Sequence, residues 1–193
     1  MSSARFQVAE LELPGIKLIT PRVHRDERGF FVERWHSAEL DSLLGTDGFK
    51  QDNHSRSRLG ALRGLHYQNP PAAQGKLVGV TRGRIYDVVV DVRPSSPTYR
   101  RWVGVVLDES TPQLLWVPRG FAHGFLALAE DTDVLYKVDA HHDAAAEAGI
   151  RFDDETLGID WEHHLRTIGV TRPLVSARDA AMPRLEDAEN RFS

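Results

Sequence analysis

Between Gly15 and Asp139 the chain is a succession of short β-branched and aromatic runs: IKLIT, GFFVERW, RIYDVVVDVR, RRWVGVVLD, QLLWVP and DVLYKV. Breakers separate them at nearly even spacing. Asp26-Glu27-Arg28-Gly29, Arg82-Gly83, Pro94-Ser95-Ser96-Pro97, Glu109-Ser110-Thr111-Pro112 and Glu130-Asp131 are of the kind that join antiparallel strands. This cadence predicts an all-β sandwich or barrel. One short helix is predicted before residue 140, from His36 to Leu44, with Ser37 as its N-cap and Leu40, Leu43 and Leu44 on its apolar side. From Asp143 the chain turns polar and Ala-rich and is punctuated by Pro173 and Pro183, which predicts short helices and loops packing back through Trp161 and Leu174.

At 193 residues and 41% hydrophobic, the chain can bury one substantial core but hardly two, so a single domain over 1–193 is expected. Its core would span about 15–140 and its C-terminal helix and loop segment about 143–193. A net charge of -4, from 24 Lys+Arg and 28 Asp+Glu without a run of like charges, argues against a nucleic-acid or membrane-surface partner. With no cysteine, disulfides, cysteine nucleophiles and thiolate metal sites are excluded. The segment MSSARFQVAELELPG lacks an apolar signal core, and no apolar run of about 18 residues occurs. A soluble, cytoplasmic protein is expected.

Chemistry concentrates in Gly60 to Val80, GALRGLHYQNPPAAQGKLVGV. His66 lies in one strand-like run, Lys76 opens the next, and Pro70-Pro71 forces a loop between them. A second fragment, LLWVPRGFAHGFLAL, sets His123 just after a Pro-x-Gly turn. His66 and His123 sit among apolar neighbours beside Gly64 and Gly124, where an imidazole without hydrogen bonds costs roughly 2 kcal/mol or more. The other histidines, His24, His36, His54, His141, His142, His163 and His164, stand beside charged or turn residues and read as surface groups. Arg63 and His66 have opposite strand parity, so their use in one pocket requires a bulge, for which Gly64 is the natural place. Parity also divides residues 84–93 into an apolar face, Tyr86, Val88, Val90 and Val92, and a mixed face containing Asp87 and Asp91. The mixed face would be wet in a surface strand and would line a polar cavity in a barrel.

Paired histidines on neighbouring strands also fit a metal site, but Gln68, Gln74 and Lys76 stand where further ligands would be needed, and a lysine cation repels a metal. Histidine, lysine, tyrosine and aspartate in one cavity suit proton abstraction next to a carbonyl, with Lys76 stabilising the enolate oxygen, His66 as base and Tyr136 returning a proton from the opposite face.

The stretches DERGFFVERW, QDNHSRSRLGALRGLHYQNPPAAQGKLV, GRIYDVVVDVRPSSPTY, VPRGFAHGFLAL and LYK together resemble the dTDP-4-dehydrorhamnose 3,5-epimerase family. The resemblance implies a cupin jelly-roll barrel with short peripheral helices, mostly C-terminal, without metal or other cofactor. It also implies a homodimer in which N-terminal segments are shared between subunits. The implied reaction inverts C3 and C5 of dTDP-4-keto-6-deoxyglucose to give dTDP-4-keto-L-rhamnose. Carried over by position, His66 matches the base, Asp179 its carboxylate partner, Lys76 the enolate-stabilising cation and Tyr136 the proton donor. Arg28, Phe30, Glu33, Gln51, Asn53 and Arg63 match nucleotide-sugar contacts, while Asp87 and His123 match polar residues of the same cavity. The chain departs from the family pattern at His141-His142, where relatives often carry tyrosines, in extra residues between Trp161 and Leu174, and at Arg178 and Arg100. Three rivals stay open: a single-carbon epimerase of an antibiotic-type sugar pathway, a metal-dependent cupin enzyme and a non-catalytic sugar-nucleotide binder.

Overall fold

The computed structural model describes residues 4–193. Strands β1 (Phe6–Glu10) and β2 (Lys17–Pro21) lead into a small hairpin, β3 (Val23–Asp26) and β4 (Gly29–Val32), and into helix α1 (Ser37–Leu44). The barrel strands follow: β5 (Gln51–Ser57), β6 (Ala61–Gln68), β7 (Lys76–Arg82), β8 (Arg84–Asp91), β9 (Trp102–Asp108), β10 (Leu114–Val117), β11 (Phe121–Ala127) and β12 (Thr132–Val138). The tail adds β13 (Glu147–Gly149), α2 (Trp161–Thr167), β14 (Leu174–Val175) and α3 (Ala177–Ala180). One six-stranded sheet runs β1-β2-β10-β7-β12-β5, and the second runs β13-β6-β11-β8-β9 with β14 beside β6. The architecture is an all-β cupin jelly roll with short peripheral helices.

Alternation along each strand explains the layers. Ile85 and Val89 of β8 point inward, meeting Val78 and Val80 of β7, Phe121 and Phe125 of β11, and Val134 of β12 in a core between the sheets. Tyr86, Val88, Val90 and Val92 point the other way, and the tail covers them with Leu157, Trp161 and Leu165. Both faces of β8 are therefore buried. The mixed face anticipated for residues 84–93 turns into the barrel, leaving Asp87 and Asp91 without solvent exposure. The outer face of the first sheet is closed by Leu40 and Leu44 of α1 against Leu77, Leu114 and Trp116.

Several local expectations change. His36, in extended conformation, takes the N-cap of α1 without a side-chain cap bond, so Ser37 is the first helical residue. Leu43, expected on the apolar side, is exposed. The run GFFVERW is a strand only over Gly29–Val32. The tail supplies two strands where loops were expected, because β13 pairs antiparallel with β6 and β14 pairs parallel to it. Trp161 is buried, but Leu174 is 56% exposed, since it is its backbone rather than its side chain that docks. The polar strand β5 and the N-terminal strand β1 carry no apolar signature strong enough to predict.

Candidate active site

The bulge expected between Arg63 and His66 is present. Strand β11 pairs His123 with His66 but Phe125 with Arg63, a register shift that brings both β6 side chains onto one wall. Gly64 adopts φ +121, and a Cβ there would lie 2.5 Å from the Gly124 Cα, so two backbones touch where no side chain fits.

Lys76 enters at the first position of β7, where Gly75 N–H donates to Asp139 Oδ1 at 2.7 Å and Asp139 N–H returns a bond to the Gly75 carbonyl at 3.2 Å. Its ammonium donates to the main-chain oxygen of His66 at 3.2 Å. Burial lowers the Lys76 pKa to about 8, against the opposing pull of Glu147 and Asp87.

The tail delivers Asp179. Ser176 caps the short α3 by accepting from Asp179 N–H at 3.0 Å, and this turn aims the carboxylate back at β6. Asp179 Oδ1 lies 3.0 Å from His66 Nε2, and Oδ2 accepts from Gly64 N–H at 3.3 Å. Burial alone would raise the Asp179 pKa, but the His66 hydrogen bond and charge, with the Gly64 and Ser176 bonds, outweigh it and hold the carboxyl below its ordinary value. A second imidazole–carboxylate pair lies deeper: His123 Nε2 is 2.5 Å from Asp87 Oδ1, and the buried Asp87 Oδ2 has no hydrogen-bond partner among the described residues.

Tyr136 on β12, opposite Val78 of β7, closes the far wall, and burial raises its pKa against the influence of Arg63. Arg63, His66, Lys76, His123, Tyr136 and Asp179 share one cavity of about 550 Å³. An adjoining hollow of about 220 Å³ takes in Gln51 and Asn53. Arg63 is braced by Ser57 Oγ at 3.0 Å and the Arg56 carbonyl at 3.1 Å. Arg28, Phe30 and Glu33 do not line the cavity of their own chain. Arg28 forks onto Asp26 at 2.6 Å in the β3–β4 turn, Phe30 is 61% exposed, and Glu33 pairs with Arg5.

Sequence reasoning missed Glu147 and gave Arg178 no place in the site. Arg178 and His142 both bond Glu147 Oε2, at 2.7 and 3.1 Å. A lone glutamate in the small-residue run AAAEAG carries little signal, because only the pairing of β13 with β6 brings it to the cavity. Among the described residues no group of three or more His, Asp or Glu converges as a metal-ligand set. The assembled groups are suited to moving protons at a carbon next to a carbonyl: a carboxylate-bound imidazole, a desolvated ammonium and a protonated phenol around one space.

A profile described as dTDP-4-dehydrorhamnose 3,5-epimerase matches residues 10–187. The chain belongs to the dTDP-4-dehydrorhamnose 3,5-epimerase family. It is 42% identical over 182 residues to the family enzyme of Salmonella typhimurium, covering 94% of this chain and 96% of that one. A solved epimerase from Legionella pneumophila, in complex with dTDP-4-keto-L-rhamnose, superposes with a TM-score of 0.87 at 40% identity over 94% of each chain. A 3'-monoepimerase from Streptomyces bikiniensis, in complex with dTDP-quinovose, has a TM-score of 0.84 at 33% identity over 91% of this chain and 86% of that one. Solved proteins of this fold thus include both a 3,5-epimerase and a 3'-monoepimerase. No helix among the described residues is long and apolar enough to cross a membrane.

Proposed function

We propose that this chain is an isomerase that inverts C3 and C5 of dTDP-4-keto-6-deoxyglucose, yielding dTDP-4-keto-L-rhamnose. The observation that carries the reading is the joint placement of the His66–Asp179 pair, Lys76 and Tyr136 around one cavity. A carboxylate acceptor selects the Nε2–H tautomer of His66 and leaves Nδ1 with the lone pair. That lone pair takes the proton from the carbon beside the C4 ketone; the C–H electrons become the new double bond between that carbon and C4, and the C4–oxygen π pair moves onto oxygen as the enolate. Asp179 stabilises the resulting imidazolium, while the Lys76 ammonium holds the oxyanion. Burial keeps the Tyr136 hydroxyl protonated, so it serves as the donor to the opposite face at C5. Inversion at C5 follows from that opposition.

Arg63 suits a diphosphate through its planar fork. Gln51 and Asn53 line the adjoining hollow, which this reading assigns to the nucleotide sugar. Arg28, Phe30 and Glu33 belong to the same set when supplied by a second copy, and the exposed Phe30 and Phe31 of the hairpin support a homodimer of this kind. The chain works as one domain, since the tail carries the carboxylate that the barrel imidazole needs. The higher identity to the double epimerases, 42% against 33% for the 3'-monoepimerase, favours double over single inversion.

The keto sugar incubated with the enzyme in deuterated water should exchange at both C3 and C5. Exchange at C3 alone would make it a single-carbon epimerase, and no exchange at either carbon would refute epimerisation.

A further inference from the structure

We propose that Asp139 is a positioning residue of this reaction: gripped by Arg119, it pins the main chain one residue ahead of Lys76 and so fixes where the ammonium stands. The inference rests on the epimerase reading above. Lys76 is the first paired residue of β7, opposite Val117 of β10 and Val138 of β12. Gly75 lies beyond that ladder and is held by Asp139 instead, whose Oδ1 accepts from Gly75 N–H at 2.7 Å and whose own N–H donates to the Gly75 carbonyl at 3.2 Å. Gln74 adds a side-chain bond from Nε2 to the Ala140 carbonyl at 2.7 Å. Gly75 has no slack, since a Cβ there would run into the Trp116 ring and lie 3.0 Å from Asp139 Oδ2.

The Asp139 side chain is only 3% exposed, and a carboxylate that deep is costly unless its oxygens are engaged. Arg119, in the turn between β10 and β11, donates from Nε to Oδ2 at 3.1 Å and to Oδ1 at 3.4 Å, with its own side chain half in solvent. The guanidinium thus reaches in from the surface and holds the carboxylate against Gly75. A hydrogen bond to an ionised acceptor is about twice as strong as a neutral one, so the charge stiffens the attachment of the Lys76 main chain. At its other end the lysine is tethered to the main-chain oxygen of His66. Cation and base therefore keep their spacing through two anchors, one on β6 and one on Asp139. Arg63 and His66 of β6, His123 of β11 and Tyr136 of β12 line the cavity with Lys76, and the anions acting on it are Glu147 of β13 and Asp87 of β8. Asp139 works on the lysine through Gly75 rather than through charge, so its removal alters the lysine titration only by moving the lysine.

Asp139→Ala removes the acceptor for Gly75 N–H. In the full chain it should lower kcat roughly ten- to hundredfold and raise KM far less, because the enolate oxygen and its cation fall out of alignment. Asp139→Asn keeps an oxygen facing Gly75 and should restore kcat to within about threefold of the parent. As a readout independent of turnover, the Lys76 ε-carbon NMR titration, assigned among the four lysines by its loss in Lys76→Met, should move up from about 8 in Asp139→Ala, since a lysine freed from its anchor sheds part of the burial that depresses it. An unmoved lysine titration in folded Asp139→Ala would overturn the inference even if activity fell, and so would a parental kcat, leaving Asp139 as a staple of the β10–β11 turn. Arg119→Met, at an exposed position, covers the case in which Asp139→Ala does not fold. It should lower kcat at least about threefold and raise the lysine titration, and parental values of both would overturn the inference. Absence of exchange in the parent enzyme would instead overturn the functional reading, with the lysine titration still reporting the anchoring separately.

Discussion

Lys76 donates from its ammonium to the main-chain oxygen of His66 at 3.2 Å, across a sequence separation of 10. Cation and imidazole are thereby slung from one residue, which fixes their spacing without any side chain between them. Preorganisation of this kind lets the enolate oxygen meet its counter-charge as the proton leaves.

His66→Ala should abolish deuterium exchange at both carbons, because no other imidazole in the cavity is paired with Asp179. Tyr136→Phe should leave exchange at C3 largely intact and mainly impair the outcome at C5. Loss of general acid–base help amounts to about 10²–10⁴ in rate, and proton NMR of the sugar separates the two positions. Equal losses in both variants at both carbons would refute this division of labour.

Lys76→Met should separate stability from activity. The folded-state pKa of about 8 lies below the ordinary lysine value of 10.5, so folding near neutral pH buries a cation at a cost. That cost is full below about pH 8 and fades as pH rises toward 10.5, where the unfolded lysine also loses its proton. Met removes it and should raise stability at pH 7 by about 1–3 kcal/mol. The gain should narrow as the pH increases, and exchange should be nearly lost. Denaturant unfolding at several pH values tests this, and a constant gap would count against it.

Gly64→Ala should destabilise the fold by more than about 3 kcal/mol. The added methyl meets the Gly124 Cα at 2.5 Å and the His123 oxygen at 2.8 Å, and the residue holds φ +121. Backbone cannot move aside as a side-chain tip can. A variant with the parent Tm would show that the β6–β11 contact yields more readily than this geometry implies.

Replacing Phe30 and Phe31 together with serine should leave the secondary structure unchanged, since both rings are exposed, at 61% and 69%. Self-association should weaken at least tenfold if the hairpin docks on a second copy. Arg28→Ala in the same hairpin should raise KM with little change in kcat, as expected for a residue that contacts substrate from a partner. Sedimentation velocity together with steady-state kinetics checks both, and an unchanged oligomeric state would remove the hairpin from the interface.

Legibility differed from element to element. The barrel strands with β-branched alternation, the turn at Asp26–Gly29 and the bulge at Gly64 were readable because each rests on a local rule: period two, turn chemistry, the need for a residue without Cβ. Strand β5, QDNHSRS, was not readable, because pairing with β12 rather than apolar content makes it a strand. Nor were β13 and β14, whose short segments acquire strand geometry only by docking on β6.

The site divides along the same line. By itself the amino-acid order determined that His66 and Lys76 would stand on successive strands, since alternation and a proline-held loop leave few other arrangements, and resemblance then proposed that they share a cavity and with which partners. Only the folded chain decided that Asp179 reaches His66 across a separation of 113 residues, that Glu147 joins Arg178 and His142 at the cavity mouth, and that Arg28, Phe30 and Glu33 stay outside the cavity of their own chain. The physical reason is that periodicity encodes which face a residue takes within its own element. Contacts between distant segments depend on how whole sheets and their covering tail pack, and no local pattern records that.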